Sequence, residues 1–311
     1  MKFIVIVNPF SGKKQGSEIF NKIKKKFDSK NIDLTLITTE FPGHAEKIIK
    51  ECNFENYHGI LMIGGDGTFH EIVNGMFNRM DKKKIPIGII PGGTGNSFML
   101  DLGITDSNLA VDKILMGKTR FIDVIKLDME QTVKYSINLV GWGMITDIGF
   151  TAENLRWMGN ARYTISAIIQ IFFKNYRKAE FEINGKRSVK NFMFVVGCNS
   201  IHVGKGMRMA PKAKLDDGLM DIIVVDSNIS RIRLLSVLPK LFKGTHIDEP
   251  EVQYYQSNKF SLIPDNYDSL IIDGEMIGKT PIVAEIIPGS IEIFALSLMQ
   301  FIDLFTALFQ F

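Results

Sequence analysis

Through the first third of the chain, short continuous apolar runs alternate with polar loops and then with apolar positions at helical spacing. "KFIVIV" leads to "SEIFNKIKKKF", "DLTLIT" to "GHAEKIIKEC", "GILMIGG" to "FHEIVNGMF", and "IPIGII" to "GNSFMLDLG". Strand and helix in strict alternation predict a mostly parallel sheet with helices on both faces. Ligands of such sheets bind beyond the carboxyl ends of the strands, where all four connecting loops fall.

From about Arg120 the pattern shortens. "FIDVIKLDM", "VKYSINLV", "FMFVVGC", "MDIIVV" and "SLIIDGE" alternate as antiparallel strands do, interrupted by helical segments at "NARYTISAIIQIFFKNY" and around Ile229 to Phe242. Within the first of these, "IIQIFFK" reads as a buried helix face. The pattern therefore places an α/β domain at residues 1–121, a β-rich domain at 122–290, and a C-terminal strand with an apolar helix at 291–311. In that last stretch, "FALSLMQFIDLFTALFQF", the polar positions Ser297, Gln300, Asp303, Thr306 and Gln310 recur every three or four residues. One narrow polar stripe on an apolar helix fits docking into the body, docking onto a second copy as a homodimer, or lying in a membrane interface.

Composition changes little in this picture. A length of 311 residues supports two cored units, and 45% hydrophobic with 23% charged residues is ordinary for a folded soluble protein. A formal charge of +3, with basic clusters confined to Lys22–Lys26 and Lys82–Lys84, does not describe a nucleic-acid binder. Cys52 and Cys198 stand far apart, which leaves neither a disulfide framework nor a zinc site and fits a reducing cytoplasm. The start "MKFIVIVNPF" reads as a first strand rather than a signal peptide, and no apolar run reaches the ~20 residues that span a bilayer.

The chemistry concentrates in the loops. In "MIGGDGTFHEIVNG", Gly64, Gly65 and Gly67 surround Asp66 at the end of a strand, and Thr68 with Glu71 stands in the spacing of a capping box that would open the next helix. A strand, a glycine turn and a helix N-terminus together make an anion site. "IIPGGTGNSF" repeats the device with Thr94 among glycines and Asn96 or Ser97 available as a cap, and "NPFSGKKQG" adds Asn8, Ser11, Gly12 and Lys13 as donors. Neither the Walker pattern nor G-x-G-x-x-G is present. Three such loops side by side favour a nucleotide, and the carboxylate of Asp66 among them calls for a metal or a proton.

In that order, and with "DGE" near the end, "NPFSGKK", "GGDGTFHEIVNGM" and "PGGTGNSF" resemble the lipid kinase family that includes bacterial diacylglycerol kinases, sphingosine kinases and ceramide kinases. The resemblance implies an NAD kinase-like α/β nucleotide domain, a C-terminal β-sandwich that handles the lipid, and an ATP cleft between them. It places ATP contacts at Asn8, Pro9, Phe10, Ser11 and Gly12, at Thr39, at Gly65, Asp66, Gly67, Thr68 and Glu71, and at Thr94. "RWMGNARY" is similar to the ceramide kinase version of the segment that supplies phosphate-binding arginines, here Arg156 and Arg162. The matching aspartate of sphingosine kinases gives Asp66 an acid–base role, whereas bacterial diacylglycerol kinases place the base in the late motif, at Asp273 or Glu275; without the resemblance, Asp273–Gly274 is a hairpin turn. Where sphingosine kinases hold the lipid head group with an aspartate this chain has Gly149, with Asp147 two residues earlier. "KLDDGLMDIIVV" resembles a structural Mg²⁺ segment, with Asp217 and the carbonyls of Lys214 and Leu219 as ligands. The implied activity is ATP- and Mg²⁺-dependent phosphorylation of a lipid hydroxyl by a cytoplasmic protein in peripheral contact with a membrane. Diacylglycerol is the first substrate and a sphingoid base or ceramide the second. A soluble NAD kinase and a silent nucleotide or lipid sensor are the readings from other classes.

Overall fold

The structure, a computed structural model, describes residues 1–11, 15–92, 96–204 and 206–295, excluding the side chains of Arg156 and Asn160. Predictions that fall on Gly12, Lys13, Thr94, the side chain of Arg156 and the apolar C-terminal helix lie outside the described residues. The chain divides into one compact unit formed by Met1–Ile122 with the segment from Gly289, and a second formed by Asp123–Pro288.

In the first unit the elements run β1 (Lys2–Val7), α1 (Gly16–Asp28), β2 (Asp33–Thr38), α2 (His44–Glu51), β3 (Gly59–Gly64), α3 (Asp66–Phe77), β4 (Ile87–Pro91), α4 (Ser97–Asp101) and α5 (Ser107–Leu115). The strands lie parallel in the order β2–β1–β3–β4. Central β3 is buried along its whole length, which is why "GILMIG" carries no polar side chain. On α1, Phe20, Ile23 and Phe27 turn inward while the lysines between them stay at the surface. The chain leaves β1 towards β2 on one side and reaches β3 on the other, so the carboxyl ends of β1 and β3 form a topological switch point. That is the position where open α/β sheets bind ligands.

The second unit is antiparallel. It continues β5 (Thr119–Met129) and adds β6 (Thr132–Ser136), β7 (Leu139–Gly143), α6 (Met144–Asn154), α7 (Arg162–Phe173), β8 (Arg177–Ile183), β9 (Lys186–Cys198), short β10 (His202–Val203) and β11 (Met207–Arg208), β12 (Met220–Asp226), α8 (Arg231–Val237), β13 (Val252–Ser257), β14 (Lys259–Pro264), β15 (Ser269–Ile272), β16 (Glu275–Lys279) and β17 (Ile282–Phe294). The order β15–β7–β9–β8–β14 is antiparallel at every step, and β12 joins β9 to β13. Alternation along a central strand sends side chains to two cores. Met220, Ile222 and Val224 of β12 enter a core with Trp142, Phe181, Phe192 and Phe260, while Ile223 and Val225 enter another with Met144, Ile171 and Leu234. No helix among the described residues is long and apolar enough to cross a membrane.

The helix "IIQIFFK" departs from the buried face expected of it. Ile171 is buried, but Phe172 and Phe173 are among the exposed aromatic residues, because α7 packs against α6 and α8 and leaves its other side open.

Candidate active site

Three loop starts meet at the carboxyl ends of β1, β3 and β4. The Asn8 N–H donates to Ile63 O at 3.0 Å, and its Nδ2 donates to Thr68 Oγ1 at 3.3 Å. Its Oδ1 accepts from Phe10 N at 3.0 Å, which curls the chain back after β1 and leaves the Phe10 ring exposed. Ser11 Oγ donates to Gly92 O at 2.9 Å, and Gly92 N donates to Gly64 O at 2.8 Å. At Gly64 a Cβ would lie 2.5 Å from Thr68 Oγ1, so only glycine lets the strand end pass this close to the helix that follows. Thr39 is buried at the end of β2, its N–H bonded to Val7 O at 2.9 Å.

Helix α3 begins at Asp66 with Gly65 before it, and no side chain caps it. The expected capping box between Thr68 and Glu71 does not form. Glu71 instead reaches α2, where Oε1 accepts from Gly43 N at 2.8 Å and Oε2 from Ala45 N at 3.0 Å. Gly43, at positive φ, carries no capping side chain of its own, and a carboxylate from the neighbouring helix satisfies the bare amides. Nor does Asn96 cap α4 with its side chain. Asp66 does so from a distance, its Oδ2 accepting from Ser97 N at 2.7 Å and its Oδ1 from Phe98 N at 3.4 Å. Asp66 thus ties the loop after β3 to the loop after β4.

In the second unit, Asp273 and Gly274 make the two-residue turn of the β15–β16 hairpin, at φ 51° and 92°. Asp273 is buried and surrounded by donors. Its Oδ1 accepts from Ser136 Oγ at 2.6 Å, Asn138 N at 2.8 Å and Leu139 N at 3.0 Å, and its Oδ2 from Ile137 N at 3.0 Å. A carboxylate engaged in this way anchors residues 136–139. Two residues on, Glu275 is exposed at the start of β16.

Asp147, the head-group candidate, is also engaged. Arg177 grips it bidentately, with Nη2–Oδ1 at 2.7 Å and Nη1–Oδ2 at 3.0 Å, and the same guanidinium reaches Asp268 through Nε at 3.3 Å. The bond to Asp147 holds the arginine firmly protonated, above its ordinary value. Asp268 in turn accepts from Trp142 Nε1 at 3.0 Å. This network joins residues more than a hundred positions apart, and nothing local in the sequence announces it. Arg162, half-buried, lies over the Tyr163 ring and donates to its hydroxyl at 3.0 Å, with Glu153 at 3.9 Å.

At the predicted metal segment, Asp217 Oδ1 accepts from Leu219 N at 3.1 Å. Near it Asp221 is fully buried with one oxygen lacking a hydrogen-bond partner, and its carboxyl is pushed up to about 6, first by burial, with the charge of Asp217 adding to it. Among the described residues no three His, Cys, Asp or Glu side chains gather as a metal cluster. Asp217 is the carboxylate of the segment in which the family resemblance implies Mg²⁺ with the carbonyls of Lys214 and Leu219, a donor type suited to a hard cation.

Comparison with known proteins gives these loops a family. Residues 2–127 match the diacylglycerol kinase catalytic domain, and residues 138–295 match the YegS C-terminal NAD kinase beta sandwich-like domain. The chain is 30% identical to sphingosine kinase 1 of Arabidopsis thaliana, over 89% of its own length and 69% of that protein. It is 26% identical to the diacylglycerol kinase of Bacillus subtilis, over 89% and 90%. The fold matches the crystal structure of a diacylglycerol kinase from Bacillus anthracis at a TM-score of 0.79 and 24% identity, covering 96% of this chain and 98% of that one. With both units matched and a relative of this identity along most of its length, the chain belongs to the lipid kinase family that includes diacylglycerol, sphingosine and ceramide kinases.

Proposed function

We propose that this kinase transfers the γ-phosphoryl group of ATP to the hydroxyl of a lipid with an uncharged head group, diacylglycerol first, giving phosphatidic acid. The observation that carries the choice is the state of the head-group position. Both oxygens of Asp147 are engaged by Arg177, so it offers no open carboxylate to the ammonium of a sphingoid base. At Gly149 a Cβ would meet Ile271 Cδ1 at 2.8 Å and Met276 Sδ at 3.3 Å, so the space an acidic side chain would need is filled with apolar atoms. A diacylglycerol asks for no counter-charge, and ceramide shares that property.

In this reading the nucleotide phosphates sit at the switch point, on the loops Asn8–Gly12 and Gly65–Glu71 and at Thr94. The N-terminus of α3 adds its positive dipole end, and the family resemblance gives phosphate-binding roles to Arg156 and Arg162. Asp66 keeps the second and third loops in register. The exposed carboxylate of Glu275 takes the proton of the lipid hydroxyl as its oxygen attacks phosphorus, while Asp273 fixes the turn that presents it. Mg²⁺, when bound, neutralises charge on the transferring phosphoryl group.

The test is radiolabelled ATP with mixed micelles of diacylglycerol, sphingosine, ceramide or monoacylglycerol, and with soluble NAD. Label is expected mainly in the diacylglycerol sample. A higher kcat/KM with sphingosine overturns the neutral-head-group reading, and label in NAD alone overturns lipid phosphorylation.

A further inference from the structure

Helix α8 and the 3-10 turn that continues it, Leu238–Phe242, carry apolar residues on two opposite sides. Leu234, Val237, Leu238 and Leu241 face inward and help line a small apolar cavity of about 50 Å³ with Phe194 and Val225. Ile232, Leu235, Pro239 and Phe242 form the other stripe, spaced three, four and three residues apart and open to solvent, with Ile232 80% and Phe242 48% exposed. Burial in the protein accounts for the first stripe and not for the second.

A second apolar group lies beside it. Arg231 Nε donates to Phe172 O at 2.8 Å, joining the end of α7 to the start of α8. Phe172 and Phe173, 64% and 65% exposed, therefore lie next to Ile232, and Tyr176 follows three residues on. The charge pattern is one-sided. Residues 162–178 and 227–247 contain arginine, lysine and histidine but no aspartate or glutamate. Arg233 and Lys240 are neutralised by Glu249 and Glu251, while Arg231 and Lys243 are exposed at the two ends of the stripe.

We infer that the outer face of α8 with the end of α7 is the surface by which the protein lies on an anionic lipid bilayer. Ile232, Phe242, Phe172 and Phe173 enter the interface, and Arg231, Lys174 and Lys243 sit at the level of the phosphates. Apolar side chains flanked by Arg231, Lys174 and Lys243 suit such a surface, and each added basic residue strengthens binding roughly fivefold. A second copy of the chain would bring the same positive charge to the same face and is disfavoured. The inference deepens the lipid kinase reading, but its test does not use phosphoryl transfer, so the two stand or fall separately.

The full chain is sedimented with vesicles of phosphatidylcholine alone and of phosphatidylcholine with phosphatidylserine at 7:3, neither containing substrate. Binding is expected to the anionic vesicles. The double variant Ile232→Asp/Phe242→Asp should weaken it at least tenfold, Arg231→Gln/Lys243→Gln should reduce the preference for phosphatidylserine, and Val189→Asp, an exposed apolar position on β9, should change neither. Circular dichroism melting of the double variant at the parent temperature shows that the fold is kept. Parent-like vesicle binding by the folded double variant overturns the inference, as does failure of the parent to bind anionic vesicles. So does a dimer that the double variant splits without loss of vesicle binding.

Discussion

Replacing Asp273 by Asn separates an anchor from a base. The carboxylate accepts hydrogen bonds from Ser136 Oγ and from the consecutive backbone amides 137 to 139. Asparagine keeps one acceptor oxygen; if that oxygen stays with Ser136, Asn138 and Leu139, the amide NH₂ is driven against the N–H of Ile137. One bond to a charged acceptor is then lost, at about 1.5–3 kcal/mol, and the remaining three weaken with the charge, so a total near 3 kcal/mol is expected. For a unit the size of Asp123–Pro288, where each kcal/mol shifts the melting temperature by about 2–4 °C, the fall should be about 6–12 °C. Glu275→Gln, at an exposed position, should melt within a degree or two of the parent and lose about 10²–10⁴-fold in kcat. The assays are thermal unfolding followed by circular dichroism and initial rates with diacylglycerol micelles. An Asp273→Asn protein that melts like the parent yet is catalytically dead, beside an active Glu275→Gln, would refute the assignment.

Arg177→Gln should release Asp147, lower stability by about 1–3 kcal/mol, and raise the rate with sphingosine relative to diacylglycerol; an unchanged substrate ratio in the paired micelle assays counts against the head-group argument. Glu71→Ala should cost about 1 kcal/mol in urea unfolding by uncapping α2, and should raise KM for ATP more than it lowers kcat, since the capped turn follows Thr39. His246 is buried, and burial depresses its pKa below the ordinary value. A depressed base is neutral in the fold and charges more readily when unfolded, so its contribution is present above the ordinary value near 6.5 and is lost as pH falls through the lower folded value. His246→Gln should flatten that part of the stability–pH curve measured by denaturant unfolding.

The parallel sheet and its ligand end were legible because buried strands and glycine loops are local signals, and local signals survive in a linear text. "GILMIG" could be little else than a buried strand, and the turn after it needed glycine. Pairings were not legible. Glu71 and Thr68 have the spacing of a capping box, yet the carboxylate found better-placed donors at Gly43 and Ala45, because α3 packs beside α2 and starts at Asp66, which puts Thr68 inside the helix rather than at its cap. Phe172 and Phe173 misled in the same way. An apolar run of helical period says that one face is buried, but not how much of the helix its neighbours α6 and α8 cover. The Asp147–Arg177–Asp268–Trp142 chain left no trace at all, since its members are brought together only by the antiparallel pairing of the second unit.

The acidic residues show why residue type alone could not assign the chemistry. Asp66, Asp273 and Glu275 were alternative acid–base candidates and Asp147 a head-group candidate, and the four differ by the donors around them. Asp147 faces a guanidinium, so its charge is spent on a side chain that has a second carboxylate in reach. Asp273 faces a hydroxyl and three amides in a buried turn, where withdrawing it would leave those donors bare. Asp66 faces the first two amides of α4 and so works on the loop that carries Thr94. Glu275 alone of the four stands exposed, where it can meet a substrate hydroxyl without first breaking a structural bond of that kind. A general base needs an oxygen open to take the proton, and the four positions differ in how far their oxygens are engaged. On this reasoning Asp66→Asn should impair ATP binding through a displaced β4–α4 loop, with KM for ATP rising before kcat falls. Near-normal KM with lost turnover would move Asp66 from the framework into the proton-transfer step.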